Sequence, residues 1–266
     1  MRNIKILLIL SLHILTINLF STDMKDTDHY IYTLALEKET PNEPPNLWNP
    51  TLYKIDVEKA SIVKKKKIAE IGSPGDCLNT IDGNILISYY VGMVSNGSNI
   101  GKEYTITSVI DKNNLEILKI TKKEGYERIH NSKRKNLDIN VPDLYKKHNN
   151  KISNFLGKEI KNKKRIFKFD DDFAYKKNFD LNILDSESLS VIDKIKINAG
   201  NMKLGSYAGT ESGGVELIDD KYLVVLFWGD VRLGYFNPGY VMIINIDTKE
   251  VKFVEIGSDA LSGIAS

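Results

Sequence analysis

SVIDKNNLEIL, residues 108–118, joins one apolar stretch to another through an Asp and a short polar run. Asp111 follows Ile110, and apolar side chains return at Leu115 and Ile117, two residues apart as on one face of a β-strand. An Asp side chain at the head of a turn accepts hydrogen bonds from the backbone N–H groups just ahead of it. The segment therefore predicts a β-hairpin whose turn is organised by Asp111.

The same arrangement occurs three more times along the chain. The segments LYKIDVEKASIV (52–63), NILDSESLSVI (182–192) and INIDTKEVKFV (244–254) align with the first without gaps. Their aligned acids are Asp56, Asp185 and Asp247, which we interpret as structural turn formers. One hairpin used repeatedly at intervals of tens of residues indicates a repeat architecture.

A second hairpin precedes two of these units. CLNTIDGNILISYY (77–90) places Asp-Gly-Asn between two apolar runs, and VELIDDKYLVVLFW (215–228) repeats the layout. Such a turn between apolar runs is a strong hairpin signal. Each unit then supplies four consecutive antiparallel strands, named A to D from the inside outward. The sequence predicts an all-β fold, a β-propeller of four-stranded antiparallel blades with about four blades present. A β-sandwich is the main alternative.

The sequence pattern of a blade is clearer in some parts of the chain than in others. Blade two is predicted over about 73–125 and blade four over about 201–257, whereas blade three is clear only at 179–197. Blade one begins with strand B at 30–36. VEIGSDALSGIAS (254–266) stands where a further strand A would start. Two accounts stay open: either this C-terminal strand pairs into blade one and closes the ring, or the chain is a fragment of a larger propeller.

The tandem hairpins carry a resemblance to a known superfamily. Together with GNILISYYVGMVSNGSNIGKEYTITSVIDKNNLEIL (83–118), they resemble the YVTN and quinoprotein amine-dehydrogenase-like propellers. The resemblance implies a propeller architecture but no single activity, because members of this superfamily bind, scaffold or catalyse. No catalytic residue of the superfamily matches position by position, so the catalytic residues are unknown.

The N-terminus reads as a targeting segment. Arg2 and Lys5 precede an apolar run over 6–20, which predicts a secretory signal over residues 1–22, either cleaved or kept as an anchor. The propeller domain is then 23–266, and we expect a periplasmic, secreted or membrane-anchored protein. The net charge of +2 gives no indication of nucleic-acid binding. Cys77, the single cysteine, can form no internal disulfide and is expected to be a buried apolar residue.

Long loops predict where a ligand would bind. In a propeller the B–C and D–A connections emerge on one face, and here they are long at 37–50, 91–103, 198–214 and 229–239, whereas the D–A link at 72–76 is short. The predicted ligand-binding side chains combine aromatic rings with a guanidinium and carboxylates, which suits a protein, glycan or small ligand. They are Tyr207, Glu211, Trp228, Asp230, Arg232 and Tyr235. The structural alternative is that Trp228 caps the core end of strand B while Asp230 pairs with Arg232.

The sequence predicts no metal site and no cofactor. Asp170, Asp171 and Asp172 lack the ligand spacing of a calcium loop, and the four His residues form no ligand pair. SYAGTESGG (206–214) has no phosphate-loop spacing.

Residues 126–165 form a basic insertion, with twelve Lys or Arg against four Asp or Glu. The irregular helical spacing within 142–165 allows an amphipathic helix that rests on an anionic surface, and a solvated insertion is the alternative.

The functional expectation from these features is a binding or interaction module that works through the long loops of one face. Two alternatives stay open. One is a propeller enzyme of the quinoprotein-dehydrogenase or lactonase-like type, and the other is a truncated, non-functional remnant.

Overall fold

The computed structural model describes residues 29–37, 49–68, 73–79, 83–91, 104–125, 155–160, 163–170, 173, 176–202, 204, 214–228, 238–257 and 264–266. For residues 73–76, 78–79, 155–160 and 163–164 only the backbone is described. The regular structure of these ranges is antiparallel β-sheet. None of their residues forms a helix of the length and apolarity needed to cross a lipid bilayer.

The strands form four separate sheets in chain order, which are the blades of the propeller. Blade one contains β1 (Tyr30–Glu37), β2 (Asn49–Asp56) and β3 (Ser61–Lys67). Blade two contains β4 (Ser73–Asn79), β5 (Ile85–Val91), β6 (Tyr104–Ile110) and β7 (Ile117–Glu124). Blade three contains β8 (Phe155–Ile160), β9 (Lys163–Phe169), β10 (Asn178–Asp185) and β11 (Val191–Asn198). Blade four contains β12 (Val215–Ile218), β13 (Tyr222–Phe227), β14 (Gly239–Asn245) and β15 (Val251–Ile256). The predicted all-β propeller of four-stranded antiparallel blades is confirmed.

The C-terminal segment joins blade one. Ala265 pairs antiparallel with Tyr32 of β1, and the two residues exchange backbone hydrogen bonds of 2.8 and 3.0 Å. Because β1 is the strand B of its blade, Ala265 occupies the position that strand A holds in the other three sheets. The C-terminal segment thus contacts blade one through the single bridge between Tyr32 and Ala265, and the two sequence-based accounts both stay open.

Blade one packs between blades two and four through alternate side chains. Ile31 and Ile55 face blade four and join a buried cluster with Val224 of β13. Tyr32, Leu34 and Leu52 face the other way and join a cluster with Ile85, Ile87 and Cys77 of blade two. The period of two along β1 therefore gives one strand two buried faces. Cys77 is buried, as the sequence predicts.

Blades three and four share a third cluster, rich in aromatic rings. Phe167, Phe179 and Leu181 of blade three contact Phe227 and Met242 of blade four within this cluster. Three of the seams between blades are thus filled by apolar side chains. Among the described residues, no hydrophobic cluster joins blade two to blade three.

The four C–D turns have the same construction. Asp111 Oδ1 accepts hydrogen bonds from the backbone N–H groups of Asn113 (2.7 Å) and Asn114 (3.1 Å), and Asp185 does the same two and three residues ahead. The fourth residue after the acid has a positive φ, 60° at Leu115 and 56° at Leu189. The backbone and side-chain hydrogen bonds from Ser188 lower the pKa of Asp185. This turn is therefore most stable above the ordinary Asp pKa and weakens as the pH falls.

The turn of blade four corrects the sequence alignment by two residues. Asn245 accepts the hydrogen bonds from the backbone N–H groups of Asp247 and Thr248, each 3.1 Å long, and Lys249 takes the positive φ of 61°. Asn245, and not Asp247, is therefore the structural counterpart of Asp111. An Asn carbonyl oxygen accepts the same hydrogen bonds as an Asp carboxylate, so the turn tolerates either residue.

The structure of blade three corrects the prediction of an amphipathic helix within residues 142–165. Residues 155–160 and 163–169 form β8 and β9, which pair with each other and supply strands A and B of the blade. Residues 142–154 lie outside the described ranges. β9 also pairs with β10 from Leu181 to Asp185, so a neighbouring strand satisfies its backbone. Sheet formation thus takes precedence over the weak helical spacing of this segment.

The short D–A link predicted at 72–76 is mostly part of a strand, because β4 begins at Ser73.

A close backbone approach joins blade four to blade one. A β-carbon added at Gly257 would lie 2.1 Å from the carbonyl oxygen of Leu36. The Gly257 N–H donates to the hydroxyl of Tyr53 (2.9 Å), and that hydroxyl donates to Glu37 Oε1 (2.6 Å). Burial and the adjacent Glu37 carboxylate raise the pKa of Tyr53, so the phenol stays protonated as the donor. Only glycine allows this contact.

Gly257→Ala is expected to lower the free energy of unfolding by about 3 kcal/mol, because the new methyl group meets backbone that cannot rotate away. Gly200→Ala is the control: Gly200 has a φ of 59° but open space around its Cα, so only conformational strain of about 1–2 kcal/mol applies. Urea denaturation followed by tryptophan fluorescence measures both values. Equal losses in the two variants would show that the contact with Leu36 is not limiting.

Asp220→Gly is expected to stabilise the protein by about 0.5–1 kcal/mol. Asp219 and Asp220 are the central residues of the β-turn over 218–221, in which the Lys221 N–H donates to the Ile218 carbonyl oxygen (3.0 Å). Their φ values are 48° and 52°, a conformation that favours glycine at the second position. Asp220→Ala removes the same carboxylate but keeps the β-carbon, and it should give no gain. A higher thermal midpoint for the alanine variant than for the glycine variant would contradict this account.

Candidate functional site

The loop face is the end of the propeller where the B–C and D–A connections emerge. Of the six side chains that the sequence predicts as ligand-binding, five lie outside the described residues: Tyr207, Glu211, Asp230, Arg232 and Tyr235. The structure therefore brings none of them together with another, and this set stays a prediction.

Trp228 is the one described member, and it follows directly on β13. It is half-buried and packs against the cluster between blades one and four. Its indole Nε1 is buried and has no acceptor among the described residues. The ring therefore contributes to the core end of strand B, as the structural alternative for this residue describes.

Blade three has a cleft at the loop-face end of its sheet. It has a volume of about 380 Å³ and lies where β9 ends, β10 begins and β11 ends. Its lining combines two acids, a lysine and two amides with two apolar residues: Asp170, Asn178, Phe179, Asp180, Lys196, Ile197 and Asn198. The register pairs Asn178 with Asn198 and Asp180 with Lys196, so these four side chains lie on one face of the sheet. Phe179 and Ile197 point to the opposite face, into the core shared with blade four.

Asp170 holds the edge of this cleft in place. Its carboxylate accepts a hydrogen bond from the backbone N–H of Asp180 (3.0 Å) and another from the side-chain amide of Asn182 (3.2 Å). The Asp170 N–H in turn donates to the Asp180 carbonyl oxygen (3.1 Å). Asp170 is therefore part of a hydrogen-bonded corner between β9 and β10. Asp171 and Asp172 lie outside the described residues.

Asp180 carries an ion pair at the cleft. Lys194 Nζ lies 3.0 Å from Asp180 Oδ2, and this hydrogen bond raises the pKa of Lys194. The lysine is consequently charged at any physiological pH, and the pair is lost only in strongly alkaline solution as the pH rises through the raised pKa. The two carboxylates of the cleft are thus already engaged, one by hydrogen bonds and one by an ammonium group.

The remaining polar groups of the cleft point to solvent. The side chains of Lys196 and Asn178 are exposed, and neither forms a hydrogen bond or ion pair with any described residue. Asn198 uses its side-chain oxygen to accept from the Gly200 N–H (2.8 Å), which leaves its amide NH₂ without a described acceptor. An ammonium group and two amides are therefore available to a ligand.

A second polar group lies at the opposite end of the propeller and joins two blades. His29 Nδ1 lies 2.5 Å from Asp219 Oδ2 of blade four, and the Tyr222 hydroxyl donates to Glu58 Oε1 of blade one (3.3 Å). His29, Glu58 and Asp219 do not form a metal-ligand cluster, and no group of three such residues occurs elsewhere in the described ranges. We interpret these contacts as polar interactions that stabilise the packing of blade one against blade four.

No protein family model and no curated protein matches this chain. Solved structures that are similar to it include the Dos1 propeller, at 10% identity and a TM-score of 0.22 over 78% of this chain and 44% of that one. A protein of unknown function from Bacteroides caccae is similar at 11% identity and a TM-score of 0.23, over 85% and 72% of the two chains. The β-propeller domain of Cps50 (Swd1) from Myceliophteria thermophila is similar at 10% identity and a TM-score of 0.18, over 84% and 71%.

At such TM-scores the fold assignment depends on the strand pairing and the blade packing described above. By those features the chain is a β-propeller protein.

Asp170→Ala is expected to lower the free energy of unfolding by about 1–2 kcal/mol, because two donors lose their acceptor. Asp170→Asn keeps one carbonyl oxygen as an acceptor and should lose about half as much. Urea denaturation curves give both values. Equal losses in the two variants would contradict the role assigned to the two hydrogen bonds.

Proposed function

We propose that the protein is an exported binding module and that the blade-three cleft takes a small hydroxylated anion, such as an acidic sugar. The observation that carries the proposal is the set of unpaired donors of this cleft, which lies on the loop face. Export is supported by the sequence, where Arg2 and Lys5 precede the apolar run 6–20.

The ligand class follows from the groups that remain available. The Lys196 ammonium would pair with a carboxylate, and charge-assisted hydrogen bonds of this kind are roughly twice as strong as neutral ones. The amides of Asn178 and Asn198 can donate to and accept from hydroxyl groups. The Asp180–Lys194 pair at 3.0 Å adds no net charge of its own. Asp170 keeps its negative charge at the edge of the cleft, where two neutral donors hold its carboxylate. A ligand carboxylate would therefore be held at Lys196, and its hydroxyl groups at Asn178 and Asn198.

Glucuronate is the probe that tests this chemistry, with glucose as the neutral counterpart. We expect glucuronate to shift the backbone amide resonances of residues 178–180 and 196–198 in ¹⁵N-labelled protein, and glucose to shift them much less. Lys196→Ala should weaken glucuronate binding by roughly tenfold or more, because among the described residues that line the cleft Lys196 is the cation without an acid partner.

Lys252→Ala is the matched control, because it removes a lysine from an outer strand of another blade. It should leave the titration with glucuronate unchanged. Shifts that are the same for glucose and glucuronate, or that persist in Lys196→Ala, would contradict the proposed site.

A further inference from the structure

Exposed aliphatic side chains are concentrated on the outer strands of the blades. Every large hydrophobic residue that is exposed in the described part of the chain lies on a strand D: Ile62, Val63, Ile117, Leu118, Ile120, Val191 and Ile192. Five of these seven lie on β3 and β7, the outer strands of blades one and two. Leu118 and Ile120 are the most exposed of them, at 55% and 58%.

β3 and the turn before β7 are in direct contact. Lys64 Nζ of β3 donates a hydrogen bond to the carbonyl oxygen of Asn114, 2.8 Å away. Asn114 lies in the turn that leads into β7 at Ile117. The beginning of β7 therefore lies beside β3. We call the two outer strands, Ser61–Lys67 and Ile117–Glu124, together the basic rim.

The basic rim carries a strong positive charge. Its strands contain seven lysines and one acid, Glu124. Lys65 is paired with Glu37 (2.8 Å), but Lys64 donates to a backbone carbonyl and Lys122 lies over the ring of Tyr104, 3.8 Å from its centroid. Lys66 and Lys119 contact no acid among the described residues. At least four ammonium groups of the rim thus lack a carboxylate partner in the described structure.

The outer strands of blades three and four differ in this respect. Lys194 pairs with Asp180 at 3.0 Å, and Asp193 of the same strand pairs with Lys249. Lys252 of β15 pairs with Glu250 at 3.2 Å. Lys196 of β11 has no acid partner among the described residues, whereas the other lysines named here are paired. Val191 and Ile192 are as exposed on this side as the aliphatic residues of the rim.

Protection of a sheet edge accounts for only part of this surface. Lysines on an edge strand discourage pairing with another sheet, but exposed Leu118 and Ile120 side chains work against that purpose. Unpaired ammonium groups interspersed with exposed aliphatic side chains match the chemistry of an anionic lipid bilayer. Its phosphates attract the lysines, and its headgroup region accepts the aliphatic side chains.

We propose that the basic rim binds the surface of an anionic lipid bilayer, with Ile120 and Leu118 entering the headgroup region and Lys66 and Lys119 contacting lipid phosphates. This surface is separate from the blade-three cleft and does not depend on the proposed ligand.

The test uses the full chain and co-sedimentation with vesicles, either of phosphatidylcholine alone or of phosphatidylcholine mixed with phosphatidylglycerol. The wild-type protein should partition more strongly onto the anionic vesicles, and added salt should weaken that preference. Lys119→Glu should lower the partition constant on anionic vesicles by roughly tenfold or more, since each basic residue near such a surface contributes about 1 kcal/mol. Ile120→Gln should lower it several-fold through lost apolar burial.

Matched variants on the outer strands of blades three and four separate the rim from a general charge effect. Lys252→Glu makes the same charge change on β15, and Ile192→Gln makes the same apolar-to-polar change on β11. Both should leave partitioning unchanged, and any contribution of the N-terminal apolar run is common to all variants. Equal binding to neutral and anionic vesicles would overturn the proposal, and so would an equal effect of Lys252→Glu. Light scattering that shows dimers abolished by Ile120→Gln, without vesicle binding, would assign the rim to a contact between two copies of the chain.

Discussion

The burial of both faces of the inner strands is the constraint on which the rest of the structure depends. On β13, Tyr222, Val224 and Leu226 pack towards blade one, whereas Leu223, Val225 and Phe227 pack towards blade three. A register shift of a single residue would exchange these two sets and disrupt both seams. Side-chain caps in the C–D turns fix the register between strands C and D of each blade. In each turn an Asp or Asn binds the backbone ahead of it, and the fourth residue after it takes a left-handed conformation.

The candidate site lies on β10, a strand that is buried on only one of its two faces. Phe179 and Leu181 of β10 are buried against blade four, but Asp180 and Asn182, which alternate with them, are polar. The apolar face anchors the strand, so its polar face can hold a fixed arrangement without contributing to the core. This division between a rigid support and a polar face explains how a site can occur on a regular sheet as well as in loops.

The sequence predicts the architecture more completely than the site, for physical reasons. The C–D hairpins could be predicted because their turns combine an acid cap with strand periodicity, two local signals that agree. The position of the turn cap at Asn245 could not be predicted, because Asn and Asp accept the same hydrogen bonds and the alignment favoured Asp247. Blade three was obscure because β8 and β9 gain their stability from pairing, which is not local.

The cleft was missed because its polar residues alternate with Phe179 and Ile197, a pattern that an ordinary half-exposed strand also shows. Its one sequence signal is the set of Asn and charged side chains at 178–182 and 194–198, placed on adjacent strands of the same hairpin. Only the strand register, which places Asp180 opposite Lys196, shows that these side chains lie on a common face.

The pairing of Tyr32 with Ala265 has a consequence for biosynthesis. The sheet that contains β1 gains this partner late, because Ala265 is translated more than two hundred residues after Tyr32. Contacts of such long sequence separation form slowly. During synthesis, the inner edge of this sheet therefore stays unpaired until Ala265 has been translated. Unpaired strand edges can pair with wrong partners.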